Sequence, residues 1–384
     1  MWDVAIVGSG PAGAAAALRI LQQRPGASVA LIDRAAFPRD KACGDGIAPH
    51  VLDVLEALDV DSVMDGYPPV LGLRLRAPGG SEVAREMRRA TFVVPRVVFD
   101  ARLASAAEER GAALQRHKVR AIEFSDDSVA IDGHLRARVV VGADGANSVV
   151  RRSAGLSLNT RSHTALALRG YETAARGGHE QFITMTGASS PAYAWVFPLT
   201  GGDANVGYGE VLGARTSSRT YLRDRMQHLL EDIGVIDGLR AHLLPLSSQR
   251  PRQPDGRVLL AGDAASLINP FTGEGIFYAV LSGMLAGEAA LDQHDPGHTY
   301  RGLLRQALDP HMRATGVAAR LARFPSVVDA VVQASKADQR VFDDMVELGL
   351  GRGTLTPAVL AGLAREIVRR GLAPHHYGGR RGMA

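Results

Sequence analysis

The feature that most constrains this chain is a glycine-rich turn between two apolar strands near its first residue. Residues 3–7 are apolar and β-branched and predict a buried strand, and residues 28–33 predict a second strand that ends in an acid. Between them, Gly8-Ser9-Gly10-Pro11-Ala12-Gly13 opens a run of small residues with helical character. In such a turn the first glycine permits a tight bend, the second lets the backbone approach a pyrophosphate, and the third lets the helix pack closely on the strand. The sequence therefore predicts an α/β fold with a Rossmann-type dinucleotide-binding domain.

The acid at the end of the second strand agrees with this prediction. Asp33 lies 20 residues after Gly13, at a spacing where a carboxylate can hold a ribose hydroxyl. The amides and the dipole at the start of the intervening helix favour a phosphate. The motif alone does not separate FAD from NAD, and a glycine-rich turn in an ordinary α/β domain remains the alternative interpretation.

Composition and charge exclude several other classes of protein. The chain has 384 residues and a formal net charge of +4, and this length is enough for two or three packed units. Its cations are spread along the chain without a nucleic-acid-binding motif, so we expect no nucleic-acid partner. The single cysteine rules out an internal disulfide bond, and no residue pattern predicts a metal site.

The apolar stretches predict a protein without a membrane-spanning helix. The most apolar late stretch, residues 276–290, contains Gly283, Gly287 and Glu288 and is shorter than the roughly 18–20 residues that span a bilayer. We interpret it as a buried helix. Because the first strand begins at the start of the chain, we expect no signal peptide and a cytoplasmic location.

Later strands are each followed by polar or glycine-rich segments that can approach a cofactor. Residues 137–142 predict a buried strand that delivers Asp144-Gly145, although an aspartate here can equally be a helix N-cap. Residues 257–261 predict another strand, which ends in Gly262-Asp263, where a carboxylate can reach a ribityl or ribose hydroxyl. Residues 273–276 then open the long apolar helix, and their amides can face an anionic ring edge.

The middle of the chain has a different pattern. Residues 164–244 contain alternating or aromatic runs between glycine-rich turns, which predict an antiparallel sheet that covers the substrate, followed by a helix over 220–234. We expect short strands over 71–76, 83–85 and 91–94, and helices over 298–323, 325–347 and 357–371. The predicted domains are a discontinuous nucleotide-binding domain (1–70, 95–160 and 245–295), a sheet domain (71–94 and 161–244), C-terminal helices (296–371) and a disordered tail (372–384).

The ordered set of motifs resembles the para-hydroxybenzoate-hydroxylase-like FAD-dependent oxidoreductases over about residues 1–295. The resemblance implies a glutathione-reductase-like FAD-binding domain, an inserted mainly antiparallel substrate domain, and FAD as the cofactor. It implies that Asp33 holds the adenosine ribose, that Arg96 lies near the pyrophosphate or ribityl chain, and that Asp263 binds the ribityl or pyrophosphate region. The implied FAD-binding residues are Gly8, Gly10, Ala12, Gly13, Asp33, Arg34, Cys43, Gly44, Arg96, Val119, Asp144, Asp263, Gly273, Gly275 and Ile276, with Gly275 and Ile276 under the isoalloxazine.

Two further stretches resemble the geranylgeranyl reductase family within this group. Lys41-Ala42-Cys43-Gly44-Asp45-Gly46-Ile47 is similar to that family's cysteine- and glycine-rich loop, although many members carry glycine where this chain has Asp45. Tyr193-Ala194-Trp195-Val196-Phe197-Pro198, followed after eight residues by Gly207-Tyr208-Gly209, is similar to its YxWxFP…GxG signature. The WxWxIP signature of flavin halogenases is not met.

This resemblance implies reduction of carbon–carbon double bonds in a prenyl, polyprenyl or terpenoid substrate, with hydride from flavin N5 to one alkene carbon and a proton to the other. The expected proton donor is Cys43, then Asp45, then Tyr208. Two of them have plainer interpretations, since a lone cysteine is often a small buried apolar group and Asp45 can cap the backbone or pair with Lys41. Glu274 is interpreted as a helix N-terminal charge. The residues expected to contact substrate are Tyr193, Trp195, Phe197, Gly207 and Gly209, although aromatics on one face of a strand are more often core.

Two other functions remain open at this point. The same fold supports an FAD-dependent monooxygenase of a specialised metabolite, and a prenyl-binding escort that has lost its flavin site is a non-enzymatic alternative. Because the sequence contains no second GxGxxG, the electron donor is expected to be NAD(P)H or reduced ferredoxin without a choice between them. A lipid substrate would imply peripheral contact with a membrane, and the sequence does not predict the oligomeric state.

Overall fold

A computed structural model describes residues 1–125, 127–173, 178–187, 192–213, 217–231 and 233–371. The predicted tail, residues 372–384, lies outside the described residues. The strands are β1 (Trp2–Val7), β2 (Val29–Asp33), β3 (Gly46–Ile47), β4 (Pro69–Arg76), β5 (Glu82–Val93), β6 (Ala113–Arg116), β7 (Ile122–Phe124), β8 (Val129–Ile131), β9 (Leu135–Gly142), β10 (Thr164–Glu172), β11 (Glu180–Met185), β12 (Ala192–Pro198), β13 (Ala204–Val211), β14 (Ile236–Pro245) and β15 (Val258–Leu260). The helices are α1 (Pro11–Gln23), α2 (Pro49–Glu56), α3 (Arg96–Glu109), α4 (Val149–Ser153), α5 (Arg219–Leu229), α6 (Ile276–Ala289), α7 (Pro296–Leu321), α8 (Pro325–Ala337), α9 (Gln339–Leu350) and α10 (Pro357–Gly371).

The strands form two sheets, as the sequence predicts. The first has the order β6-β2-β1-β9-β8-β7, with β15 also paired to β9, and its β6, β2, β1, β9 and β15 strands are parallel. The second has the order β14-β10-β13-β12-β11-β4-β5-β3 and is antiparallel except where β11 meets β4. The predicted α/β class, with a Rossmann-type sheet, a mainly antiparallel second sheet and C-terminal helices, is confirmed.

Close packing of α1 explains why glycine and alanine dominate the first turn. Gly8 has a φ of +101°, and a Cβ added to Gly13 would lie 1.8 Å from the Gly8 carbonyl oxygen. On the other side of α1, a Cβ on Gly283 of α6 would lie 2.0 Å from the Ala12 carbonyl oxygen. The missing side chains therefore let β1, α1 and α6 approach at backbone distance, which brings the start of both helices to the same side of the sheet. The buried helix predicted over residues 276–290 is thus confirmed as α6.

Three element predictions are corrected. The helix predicted over 325–347 is two helices, α8 and α9, which separate at Asp338, whose carboxylate accepts a hydrogen bond from the Arg340 amide at 2.9 Å. The helix predicted over 220–234 ends at Leu229, and the following strand β14 was not predicted because its burial does not alternate regularly. One continuous strand, β5, replaces the two short strands expected over residues 83–85 and 91–94.

Candidate active site

A cavity of about 360 Å³ lies between the first sheet, the second sheet and the C-terminal helices. The loop that contains Lys41 and Cys43 forms one part of its wall, and the segment from Pro270 to Ile276 before α6 forms another. Strands of the second sheet contribute Tyr193, Trp195 and Phe197. The cavity therefore brings together most of the segments that the sequence singled out.

The turn between β1 and α1 offers unpaired polar groups next to Asp33. The Ser9 amide donates to Asp33 Oδ2 at 3.0 Å, and the Arg39 guanidinium lies 3.7 Å from the same oxygen. The Ser9 hydroxyl is buried without a hydrogen-bond partner among the described residues. At the start of α1, Gly10 has no side chain to cap the helix amides. Orphaned donors at a helix N-terminus beside a carboxylate are the groups that a ribose and a pyrophosphate require, so this turn fits a dinucleotide.

A second carboxylate, Asp263, is held in its charged form beside the cavity. Its Oδ2 accepts a hydrogen bond from the Lys41 ammonium at 3.0 Å and lies 3.7 Å from His242 Nε2. Burial alone would raise the pKa of Asp263, but Lys41 and His242 together bring this pKa well below its usual range. Burial lowers the pKa of His242. An ionised carboxylate at this place can accept hydrogen bonds from ribityl hydroxyls, as the sequence predicts.

Arg96 is a buried cation at the start of α3. Its guanidinium makes a bidentate ion pair with Asp100, at 2.6 Å and 2.8 Å, and Arg39 donates to Asp100 at 3.0 Å. Burial acts to lower the pKa of Arg96, but Asp100 and the nearby Cys43 raise it further above its usual value. Arg96 also lines the cavity. It therefore supplies a fixed positive charge at the place where the sequence predicts the pyrophosphate or ribityl chain.

Asp45 ties the cysteine-containing loop to the second sheet rather than facing the cavity. The cavity wall includes Cys43, Gly44 and Gly46 but not Asp45. Its Oδ2 accepts hydrogen bonds from the Tyr171 hydroxyl and the Asn205 amide, both at 2.8 Å. Burial raises the pKa of Asp45 to about 6. The carboxyl of Asp45, which the sequence predicts as a proton donor, is thus enclosed by its own hydrogen-bond partners.

The backbone of Asp45 explains the departure from the family pattern. Its φ is +59°, in the left-handed region that glycine adopts most easily and that aspartate tolerates. A glycine at this position would keep the loop conformation but lose the hydrogen bonds to Tyr171 and Asn205. The aspartate therefore fastens a loop whose shape does not depend on it.

The three aromatic residues of β12 line the cavity together. The ring centroids of Tyr193 and Trp195 are 5.9 Å apart, and those of Trp195 and Phe197 are 6.4 Å apart. The indole covers Gly207, where an added Cβ would lie 2.1 Å from its ring, and its N–H donates to Asn205 Oδ1 at 2.8 Å. Gly207 of the GxG signature thus makes room for the indole ring. Gly209 also lines the cavity, and a Cβ added there would meet Ala167 at 3.5 Å.

Tyr208, which is also predicted as a proton donor, lies outside this cavity wall. Successive side chains of a strand point to opposite faces, so a residue between Gly207 and Gly209 faces away from the rings. Tyr208 is 1% exposed and packs with Leu222 and Met226 of α5. Its hydroxyl donates to Glu210 at 2.8 Å.

Two titratable groups whose pKa values are raised, Cys43 and Glu274, line the cavity. Burial raises the pKa of the Cys43 thiol, and burial raises the pKa of Glu274 to about 7. One oxygen of Glu274 accepts a hydrogen bond from the Phe277 amide at 2.8 Å. From the sequence, Glu274 is expected only to interact with the dipole at the start of α6. Its burial could not be predicted, because the apolar residues around it come from distant segments.

The remaining predicted cofactor residues fall into two groups. Gly273, Gly275 and Ile276 line the cavity, and Ala12 is buried in α1. Asp144 instead accepts hydrogen bonds from the Val149 and Val150 amides at 2.6 Å and 3.2 Å, which favours the helix-capping interpretation of its side chain. Arg34 is exposed after β2, and Val119 is buried beyond the end of β6; neither lines the cavity.

The C-terminal helices contribute an apolar wall that the sequence did not indicate. The cavity extends to small and aliphatic side chains from α7, α8, α9 and α10, among them Leu321, Val328, Val346, Val359 and Leu363. These helices are amphipathic, and amphipathicity shows that one face is buried without showing what it faces. The apolar part of the cavity wall therefore forms only when these helices pack together, and the sequence of each helix does not predict it.

Comparisons with known proteins identify the family of this fold and site. The model of the FAD binding domain family matches residues 1–289. The chain belongs to this family. It is 32% identical to menaquinone reductase of Mycobacterium tuberculosis over 345 residues, which cover 83% of each chain. It is 29% identical to digeranylgeranylglycerophospholipid reductase of Methanosarcina mazei over 337 residues, which cover 82% of this chain and 81% of the relative.

The solved structures agree at the level of fold. A geranylgeranyl bacteriochlorophyll reductase-like protein from Thermoplasma acidophilum superimposes with a TM-score of 0.77 and 21% identity, covering 96% of this chain and 98% of the other. The predicted resemblance to geranylgeranyl-reductase-like FAD oxidoreductases is confirmed, and this member of the family is an FAD-dependent oxidoreductase. Among the described residues, no helix has both the length and the apolar character needed to cross a membrane.

Proposed function

We propose that this FAD-dependent oxidoreductase reduces carbon–carbon double bonds in a prenyl, polyprenyl or terpenoid substrate. The observation that carries the proposal is one cavity whose wall includes Cys43, Asp263 and Gly275 together with aliphatic side chains of α8 and α10. A long apolar extension suits an isoprenoid chain, whose burial is favourable by about 0.8 kcal/mol for each methylene. Two relatives named for a quinone and a prenylated glycerolipid support a substrate of this class.

The chain's own residues would bind the cofactor through three groups of contacts. Asp33 and the amides at the start of α1 would hold the adenosine ribose and the pyrophosphate. Asp263, kept ionised by Lys41, would accept hydrogen bonds from the ribityl chain. The amides of Gly275 and Ile276 would face the ring edge at the start of α6. When bound, reduced FAD would supply the hydride.

The protein would supply alignment, exclusion of water and a proton. An isolated alkene accepts hydride poorly, so correct placement of the double bond must provide much of the rate. Trp195 and Phe197 would wall the chain beside the reacting carbon atoms. Cys43 and Glu274 are the proton donors that the geometry favours, because both line the cavity and burial raises the pKa of each.

Product analysis tests this function directly. The purified protein, supplied with FAD and either NAD(P)H or reduced ferredoxin, would be incubated with polyprenyl substrates and the product mass measured. A gain of two hydrogen atoms is expected, and the donor that supports turnover identifies the electron source. A gain of one oxygen atom would make the protein a monooxygenase. Protein that stays colourless when FAD is supplied would favour a binding function without catalysis.

Variants at the cavity test the proton donors. Cys43→Ala and Glu274→Gln should be compared in single-turnover reduction, with Asp45→Asn as the variant that loosens the loop without facing the substrate. Loss of the working general acid should slow reduction by about 100-fold or more. If Cys43→Ala and Glu274→Gln both keep the full rate, the proton comes from another group.

The comparisons leave membrane contact open, and we include it in the proposal because a prenyl lipid resides in a bilayer. The protein would work at the membrane surface rather than through a spanning segment.

A further inference from the structure

We infer that the outer face of α10, together with the junction between α7 and α8, docks on an anionic lipid bilayer. The surface is observed independently of the proposed function, whereas its purpose, delivery of a lipid to the cavity, rests on that function. Of the ten large apolar side chains exposed in the described part of the chain, five lie between residues 317 and 368. Such a concentration of exposed apolar side chains is typical of a docking surface.

The exposed residues of α10 form one apolar stripe. Leu360 is 50% exposed, Ile367 is 48% exposed and Val368 is 60% exposed, and Ala364 between them is also exposed. These positions recur at i, i+4, i+7 and i+8 and so share one face of the helix. The opposite side of α10 is already buried through Val359 and Glu366. The helix therefore has an apolar outer face in addition to its packed inner face.

The stripe is continuous with the cavity. Leu360 belongs to both, since it lines the cavity and is half-exposed. On the other side of the cavity, Leu321 and Ala322 at the end of α7 form its wall, and Phe324, which follows them, is 59% exposed. Exposed apolar side chains thus adjoin residues of the cavity wall both on α10 and at the junction between α7 and α8. A bilayer seated here would let a lipid chain enter without crossing water.

Charge at this surface favours anionic lipid headgroups. Arg313, Arg320 and Arg323 are all exposed. Arg313 lies 3.9 Å from Asp309, and Asp329 after the junction is buried, so Arg320 and Arg323 are the cations nearest to Phe324 in the sequence. The single acid of α10, Glu366, is 6% exposed and pairs with Arg369. Each cation near an anionic membrane surface contributes about 1 kcal/mol. An apolar face rimmed by arginine is the pattern of a helix that lies in the membrane interface.

The C-terminal segment of the chain is a poor alternative cover for the stripe. Residues 372–384 contain Leu372, Tyr377 and Met383 as their large apolar side chains, together with four glycines or prolines and two arginines. This composition offers few large apolar side chains that could pair with the stripe. Its Arg380-Arg381 pair would add to the attraction for anionic lipid.

Sedimentation with lipid vesicles tests the surface without measuring catalysis. The FAD-loaded protein would be mixed with vesicles of phosphatidylcholine, with or without phosphatidylglycerol. The unmodified protein should bind the vesicles that contain phosphatidylglycerol, and added salt should weaken this binding. The double variant Phe324→Asp/Val368→Asp should bind at least about tenfold more weakly, because two apolar anchors are lost and two negative charges are added.

Matched variants separate this surface from general effects. Phe124 on β7 is a phenylalanine of similar exposure, 48%, outside the surface, and Phe124→Asp should bind vesicles like the unmodified protein. Arg320→Glu/Arg323→Glu should lose binding to anionic vesicles without loss of an apolar side chain. Turnover of a short, detergent-dissolved prenyl substrate should stay unchanged in the Phe324→Asp/Val368→Asp variant, so a failure of the proposed reaction would be recognised separately.

Three results would overturn the inference. One is equal vesicle binding by the unmodified protein and the Phe324→Asp/Val368→Asp variant. Another is the absence of binding to any vesicle. The third is a dimer, seen by analytical ultracentrifugation, that the variant abolishes, because a second copy of the chain would then be the partner that covers this surface.

Discussion

At the scale of single residues, the three glycines of the first turn serve different physical purposes. An added Cβ at Gly13 would lie 1.8 Å from a carbonyl oxygen, whereas an added Cβ at Gly10 would meet only the end of the Arg39 side chain at 3.4 Å. The Gly8 carbonyl cannot move away from a side chain added at Gly13. The flexible Arg39 side chain can move away from one added at Gly10. Packing alone therefore requires Gly13, whereas we propose that Gly10 permits the close approach of FAD.

This difference predicts two separable phenotypes. Gly13→Ala should destabilise the protein without FAD by about 3 kcal/mol, because overpacking forces α1 away from β1. Gly10→Ala should leave the thermal unfolding of the FAD-free protein nearly unchanged and weaken FAD binding. Denaturant unfolding and flavin titration measure the two effects. Equal FAD affinity in Gly10→Ala and the unmodified protein would contradict a pyrophosphate at this turn.

Glu274 makes stability depend on pH in a defined direction. Burial raises its pKa from 4.5 to about 7, so the folded state favours the protonated carboxyl. Stability from this group is complete below about pH 4.5 and is lost as the pH rises through about 7. The loss should amount to about 3 kcal/mol, since one pKa unit corresponds to about 1.4 kcal/mol.

The variant Glu274→Gln should remove this dependence, because glutamine cannot ionise and its oxygen can still accept the Phe277 amide. Unfolding free energies of the FAD-free protein at about pH 5 and pH 8, compared with those of the unmodified protein, isolate the effect. Glu56→Gln, at an exposed glutamate of α2, controls for the loss of a carboxylate. A pH dependence that is identical in Glu274→Gln and the unmodified protein would contradict the raised pKa of Glu274.

At the scale of secondary structure, the contact between α1 and α6 sets the position of both helix starts. Gly283 meets the backbone of Ala12, whereas Gly316 of α7 has open space where a Cβ would be added. Gly283→Ala should lower the free energy of unfolding by roughly 2–3 kcal/mol through overpacking. Gly316→Ala should raise it by about 0.5–1 kcal/mol through helix propensity. Denaturant unfolding distinguishes the two, and a stable Gly283→Ala protein would show that the helices are free to separate.

Element types were predictable where the local pattern is strong, and less so where partners are distant. The alternation of β12 places Tyr193, Trp195 and Phe197 on one face of the strand. The same alternation in β13 turns Tyr208 away from the face of Gly207 and Gly209, and the prediction of Tyr208 as a proton donor did not take this into account. The break between α8 and α9 contains neither glycine nor proline, so the apolar period continues across Asp338. The C-terminal wall of the cavity could not be predicted, because amphipathic helices do not encode their partner.

At the scale of the whole molecule, function depends on three separate parts that enclose one cavity. The first sheet and α6 supply the groups that fit FAD, the second sheet supplies aromatic rings, and the C-terminal helices supply an apolar extension. The sequence predicted the first two parts from motifs that lie in order along the chain. The third part, and the exposed arginine-rimmed surface at its end, emerge only when distant helices are packed together.

We propose that the enclosed double bond of the substrate, rather than oxygen, accepts electrons from the flavin. The decisive measurement reduces the protein-bound flavin with dithionite in the absence of oxygen, adds a polyprenyl substrate, and follows the visible absorbance of oxidised flavin together with product mass. We predict that the absorbance returns in proportion to a product that has gained two hydrogen atoms. A flavin that stays reduced with every alkene, and reoxidises with product formation only when air is admitted, would contradict the claim.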